Sequence, residues 1–208
     1  MNMDGTEPQA RKGRKYDQVI AGALEIFLRD GFEGASVDDI AKASGVSKAT
    51  LYSYFPDKRF LFMEVATSQC LRQADDAILT IDQSRDPEYV LTRAGVSLLG
   101  ILFSKLGLQT FRVCVGEAER FPELAHEFYR TGPMRLRGEL IKYFVKAMAR
   151  EELVIPNCEL AADQFGELCK ARLWPEFLFG IRNSATDAEI RDVVEEAVKT
   201  FLARYAAK

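Results

Sequence analysis

The chain has 208 residues, 48% of them apolar and 28% charged, the balance of a globular protein of one or two domains, which excludes collagen-like, wholly disordered and membrane-embedded classes. Its 28 basic and 31 acidic residues leave a net charge of −3, so charge alone argues for no polyanionic partner. Four dispersed cysteines (Cys70, Cys114, Cys158 and Cys169) form no C-x-x-C pair and read as buried thiols, and one histidine, His126, excludes any site that needs two imidazoles.

Residues 1–15 read as a flexible basic tail, polar where a secretion signal would be apolar, and no apolar run approaches the length of a membrane span; a cytoplasmic protein is expected. Residues 8–60 carry Arg11, Lys12, Arg14, Lys15, Arg29, Lys42, Lys48, Lys58 and Arg59 against seven acids. A weakly basic segment on an acidic remainder suits a module that meets phosphate at one end only.

Over 16–29, Val19, Ile20, Ala23, Leu24 and Phe27 recur at helical spacing, and Gly31 is the stop signal. Ser36, with Asp39 three places on, resembles a capping box opening a short helix that contains Val37, Ile40 and Ala41 and closes at Gly45. Only Val46 separates that glycine from Ser47, a good N-cap for a helix from Lys48 to Tyr54 with Leu51 and Phe55 turned inward. Two short helices on so tight a turn predict a helix-turn-helix within a DNA-binding domain over 16–60.

Such a motif places the start of its second helix in the major groove. Ser47 can bond a phosphate, Lys48 can reach guanine acceptors or a phosphate, the methyl of Ala49 can touch thymine, and Thr50 can meet either a base or a phosphate. Tyr52 and Tyr54 are too large to be buried together on so short a helix, and their hydroxyls, with Lys58 nearby, are candidate phosphate donors; the alternative is a plain helical hairpin whose tyrosines pack inward. The run GVSKATLYSYFPDK (45–58), preceded by ALEIFLRDGFEGASVDDIAKAS (23–44), resembles the N-terminal domain of TetR-family transcriptional regulators. That resemblance implies three N-terminal helices on a larger helical ligand-binding and dimerisation domain, and DNA contacts at Ser36, Val37, Ser47, Lys48, Ala49, Thr50, Tyr52, Tyr54 and Lys58. The chain departs from the family pattern at Ala49 and Tyr54, where many relatives have glycine and histidine.

Residues 61–208 read as the second domain, entirely helical. Asp57 can cap a helix running to about Leu79 that links the two domains, and further helices are predicted over 87–104, 108–120, 122–131, 133–150, 157–181 and 186–206. Gly107, Phe121-Pro122, Gly132-Pro133 and Pro156 punctuate them, and Thr186 with Glu189 forms a capping box. The stretch 115–140, VGEAERFPELAHEFYRTGPMRLRGEL, is similar to the ligand-binding domains of AefR-like members of the family.

The domain is rich in aromatic residues, each more readily core than ligand contact, yet together they favour an apolar or aromatic effector. The candidate pocket set is Phe103, Phe111, Cys114, Phe128, Phe144, Phe165 and Trp174, with Glu117, Glu119, Arg120 and His126 as candidate polar groups. No cofactor and no metal site are expected, since His126 and Glu127 are adjacent and do not face one another on a helix. Phe165, Cys169, Leu173 and Phe177 on one helix, and Ile190, Val193, Val194, Ala197 and Phe201 on another, form stripes expected to make a dimeric four-helix bundle. The reading is an all-α, ligand-responsive repressor that binds a pseudo-palindromic operator as a homodimer. The alternatives are a DNA-binding protein acting through a protein partner and, least supported, an all-α enzyme.

Overall fold

The computed structural model describes residues 13–207, so most of the tail expected over 1–15 lies outside the described residues. Eleven helices are described, and the one β-type contact among them is an isolated bridge between Leu153 and Ala206. The chain divides into two compact units, Met1–Val65 and Ala66–Lys208, a boundary five residues beyond the expected one.

In the first unit, α1 (Arg14–Gly34) carries a kink at Gly31, whose φ of 75° is left-handed. The glycine therefore interrupts the helix where the sequence predicts a stop. α2 (Val37–Ser44) and α3 (Lys48–Tyr54) follow, and α4 (Lys58–Thr80) begins here. Gly22 lets α1 approach α2: a Cβ there would lie 2.4 Å from Ser44 Oγ and 2.6 Å from its backbone nitrogen. Around this crossing Val19, Phe27, Ile40, Leu51, Leu61 and Phe62 are buried, each contributing about 1.5–3 kcal/mol. Phe27 meets Phe62 edge to face with centroids 5.0 Å apart.

The second unit contains α5 (Pro87–Phe103), α6 (Lys105–Glu117), α7 (Pro122–Thr131), α8 (Pro133–Ala149), α9 (Cys158–Lys170), α10 (Leu173–Leu178) and α11 (Asp187–Tyr205). Its core gathers Leu91 and Leu99 of α5, Phe144 of α8, Phe165 of α9, and Val194 and Phe201 of α11. Phe201 stacks on Phe144 at 5.4 Å and receives Phe165 edge-on at 5.5 Å.

Three expectations need correction. Gly107 lies inside α6 rather than before it: Ser104 is the N-cap and accepts the Gly107 N–H at 3.0 Å. A Cβ at Gly107 would stand 2.0 Å from the Ile101 carbonyl oxygen, so the glycine permits a close crossing of the α5 end. The single helix expected over 157–181 is broken at Ala171 and Arg172, where Arg172 has φ 64°. Pro175 supplies the reason: it cannot donate to a carbonyl four residues back, but it is tolerated in the first turn of a new helix, where α10 places it. Finally, Phe165, Cys169, Leu173, Phe177, Val194, Ala197 and Phe201 are buried within one chain, so most of each stripe packs in the core, while Ile190 and Val193 are partly buried.

No single described helix is long and apolar enough to cross a membrane, and α5 with α6, which together have the length, bend by 69°.

Candidate nucleic-acid interface and a second candidate site

In the first unit, side-chain caps and a glycine turn hold α2 and α3 in place. Ser36 accepts the Asp39 N–H at 3.0 Å and donates its own hydroxyl to Asp39 Oδ2 at 2.6 Å. At the other end of α2, Gly45 takes φ 64°, ψ 29° and Val46 N–H returns to the Ala41 carbonyl at 3.1 Å. This left-handed closure is one that a side chain at position 45 would strain. Ser47 then accepts the Thr50 N–H at 3.1 Å, and its hydroxyl lies 2.9 Å from Thr50 Oγ1.

Ser36, Ser47, Lys48, Ala49 and Tyr52 are exposed, and Val37, Thr50, Tyr54 and Lys58 are partly buried. Tyr52 is 48% exposed on a seven-residue helix. Lys48 pairs with Asp38 across the turn, and this carboxylate raises the lysine above its ordinary pKa; composition gave no sign of that pairing.

Tyr54 behaves differently. Its ring packs edge-on against Tyr16, 5.7 Å between centroids. Tyr16 in turn donates to Glu64 Oε1 at 2.5 Å, and burial, with help from Glu64, pushes the Tyr16 hydroxyl above the ordinary tyrosine range. Lys58 also turns inward: its ammonium donates to the carbonyls of Phe32 at 2.8 Å and Ala35 at 3.1 Å and lies 4.6 Å from the centroid of the Phe32 ring. It closes the end of α1, where cations are favoured.

A second candidate site lies within Ala66–Lys208. Between α4, α5 and α8 a cavity of about 700 Å³, its open mouth included, is lined by alanine, isoleucine, leucine and valine side chains with Gln83, Ser97, Glu139, Tyr143 and Phe165. Of the expected pocket residues only Phe165 reaches it. The others are consumed in packing: Phe103 stacks on Phe177 at 4.0 Å, Phe111 meets Trp174 edge-on at 4.9 Å and Phe128 at 6.4 Å, Phe144 stacks on Phe201, and Cys114 is buried. Nor does the cavity wall include Glu117, Glu119, Arg120 or His126. The wall is built mainly from small and branched aliphatic residues, which sequence reasoning passed over because such residues are core material everywhere.

One wall residue is chemically conspicuous. Tyr143 is 3% exposed, and its hydroxyl interacts with Arg150. The Arg150 guanidinium, 5.9 Å from the ring centroid, also donates to Glu152 through bonds of 2.9 and 2.8 Å. Burial pushes the Tyr143 hydroxyl up to about 12, so it stays protonated at neutral pH. Among the described residues no cluster of three or more metal-ligating side chains occurs.

Comparison with known proteins places this geometry. The C-terminal domain of AefR-like transcriptional repressors matches residues 89–207, more than half of the chain, and the N-terminal domain of the tetR family of bacterial regulatory proteins matches 19–65. The chain belongs to the TetR family. This is a family of DNA-binding transcriptional regulators, not of enzymes. The chain is similar to the uncharacterized HTH-type transcriptional regulator YdeS of Bacillus subtilis, at 26% identity over 96% of this chain and 98% of YdeS. Among solved structures, a TetR-family regulator from Mesorhizobium loti superposes with a TM-score of 0.79 at 26% identity, covering 95% of this chain and all of that one. The flavonoid-responsive regulator FrrA superposes with a TM-score of 0.66 at 31% identity, covering 93% of this chain and 98% of FrrA. As a TetR-family member, the chain uses its helix-turn-helix to bind DNA, with the α2–α3 turn as the element whose exposed groups face outward.

Proposed function

We propose that this TetR-family protein is a ligand-responsive repressor that binds a pseudo-palindromic operator as a homodimer and changes its DNA affinity when an apolar effector enters the α4/α5/α8 cavity. The observation that carries the reading is the exposed start of α3, where Ser47, Lys48 and Ala49 follow the Gly45 turn in the open and Thr50 is partly buried beside them. A two-fold dimer sets two such helices about 34–36 Å apart, one turn of DNA. Ser36, Ser47, Thr50 and Tyr52 hold phosphates in this reading. Lys48 reads a base edge after exchanging Asp38 for guanine acceptors.

The effector arm rests on the cavity and on likeness to FrrA, itself described as flavonoid-responsive. α4 supplies Lys58 to the end of α1 and Ala74, Ala77 and Ile78 to the cavity wall, which makes it the proposed carrier of the response. The dimer in this reading uses the C-terminal helices, with the stripes reassigned to the core and the contact moved to exposed apolar residues next to them.

Footprinting the purified protein on DNA flanking its own gene tests the whole proposal, and protection of two half-sites one helical turn apart is expected. With that operator, Lys48→Ala costs about 1–3 kcal/mol and relaxes preference at one base pair per half-site. Loss of affinity for operator and random DNA in equal measure contradicts base reading by Lys48.

A further inference from the structure

α3 has seven residues, too few for a helix that is stable by itself, so its direction is set by what its two ends pack on. Its start follows the left-handed turn at Gly45, and Leu51 in its middle is fully buried. Its end rests on α1. The Tyr54 ring meets Tyr16 edge-on at 5.7 Å, and the buried ring of Phe55, the C-cap, lies 5.6 Å from the same residue. From Lys48 to Tyr54 the helix spans roughly 9 Å, so a displacement at the Tyr16 end is carried to the residues at the other.

Tyr16 stands in the first turn of α1, whose N-cap, Gly13, supplies no side-chain hydrogen bond. Helix ends of this kind fray unless something holds them. The Tyr16 hydroxyl donates to Glu64 Oε1 of α4 at 2.5 Å, across 48 residues of sequence, and hydrogen bonds to a carboxylate are among the stronger ones. All of these residues lie within Met1–Val65. A carboxylate has no attraction for phosphate, so any effect of Glu64 on DNA affinity passes through what Glu64 holds.

We infer that Tyr16 is a positioning residue for DNA recognition: its bond to Glu64 fixes the ring on which the end of α3 sits, and with it the angle at which Ser47, Lys48, Ala49 and Thr50 meet the bases. This role rests on the reading of α3 as the helix that reads base edges.

The test uses the full-length protein, a duplex selected by wild type from a random library, and an unselected duplex of equal length. Affinities are read by fluorescence anisotropy at a temperature where calorimetry shows every variant folded. Tyr16→Phe keeps the ring and should bind the selected duplex about tenfold more weakly, while holding unselected DNA to within about twofold and with the same salt dependence, because the phosphate-binding groups are intact. Glu64→Ala should show the same loss, and the double variant no more than either alone, since both changes remove one bond. Glu64→Gln, which still accepts a hydrogen bond, should return to within about threefold of wild type. A Tyr16→Phe variant with wild-type preference for the selected duplex overturns the role. Equal losses on the two duplexes make Tyr16 a phosphate contact and overturn it as well, and losses that multiply in the double variant separate Tyr16 from Glu64 and do the same. Lys48→Ala checks the underlying reading separately: a variant that keeps the wild-type preference ends base reading by Lys48, while Tyr16 is still decided by the outcomes above.

Discussion

Lys58 illustrates how one side chain's partners change its assignment. The family resemblance gives it a phosphate, yet its ammonium is bonded to two carbonyls at the end of α1 and lies over Phe32. Removing it leaves both carbonyls without that donor, so Lys58→Ala should lower stability by about 1–3 kcal/mol, read as a lower urea midpoint with an unchanged m-value. An unaltered midpoint, together with a reduced salt dependence of DNA binding, would return Lys58 to the phosphate role. Glu189 offers a test by pH. Its carboxylate accepts the Thr186 N–H at 2.8 Å and also meets Arg182 at 2.6 Å, and the backbone bond, then Arg182, hold its pKa at about 2 against an ordinary value of 4.5. A depressed carboxylate stabilises the fold above its unfolded value and loses that contribution as pH falls through the folded one. Glu189→Gln should therefore melt below wild type at pH 6, and the gap should close between pH 4.5 and 2.

At the scale of elements, close backbone approach decides more than propensity does. Gly22 sits mid-helix in α1, where glycine is a poor helix former, because any Cβ would collide with the backbone of Ser44. Gly22→Ala gains helix propensity but should destabilise the first unit by about 1–3 kcal/mol, the usual range for overpacking, and reduce DNA affinity by displacing the α2–α3 turn. Calorimetry showing a more stable protein with intact DNA binding would refute the argument. Pro175 plays the matching part in the second unit, where it forces the break at Arg172 and the restart as α10. A tight turn then follows, with Phe179 N–H on Pro175 O at 3.0 Å and Ile181 N–H on Glu176 O at 2.9 Å.

For the whole molecule, that turn bears on assembly. Phe179 and Ile181 are 81% and 77% exposed, while Phe177 beside them is fully enclosed and its carbonyl accepts from Arg112 at 2.7 Å. Phe177→Asp should accordingly unfold or aggregate the protein instead of yielding a folded monomer, since it buries an unpaired charge. In the proposed dimer, Phe179→Ser with Ile181→Ser should shift sedimentation towards monomer at micromolar concentration while the melting of the separated chain stays cooperative; a dimer of undiminished affinity would place the contact elsewhere. Ligand and operator must also be coupled reciprocally: an effector that weakens DNA binding by some factor is itself bound less tightly on DNA by that factor.

The sequence alone determined whatever depends on neighbours along the chain. Helical spacing marked α1 to α3, Ser36, Ser47 and Thr186 named their own caps, Gly45 announced its turn, and L-Y-x-Y-F-x-x-K carried the family, because capping, turning and periodicity are settled within a few residues. Only the tertiary structure decided which apolar residues face one another. Phe165, Leu173, Phe177 and Val194 have the same chemistry whether a stripe packs on its own chain or on a second copy, and spacing cannot tell these apart. Phe103 and Trp174 were spent on packing, while unremarkable residues such as Ala77 and Leu98 came to line the cavity. Lys58 reached the carbonyls of Phe32 and Ala35 only because the fold brought α4 against the end of α1, and partnership between residues distant in sequence is a property of three dimensions that no local pattern encodes.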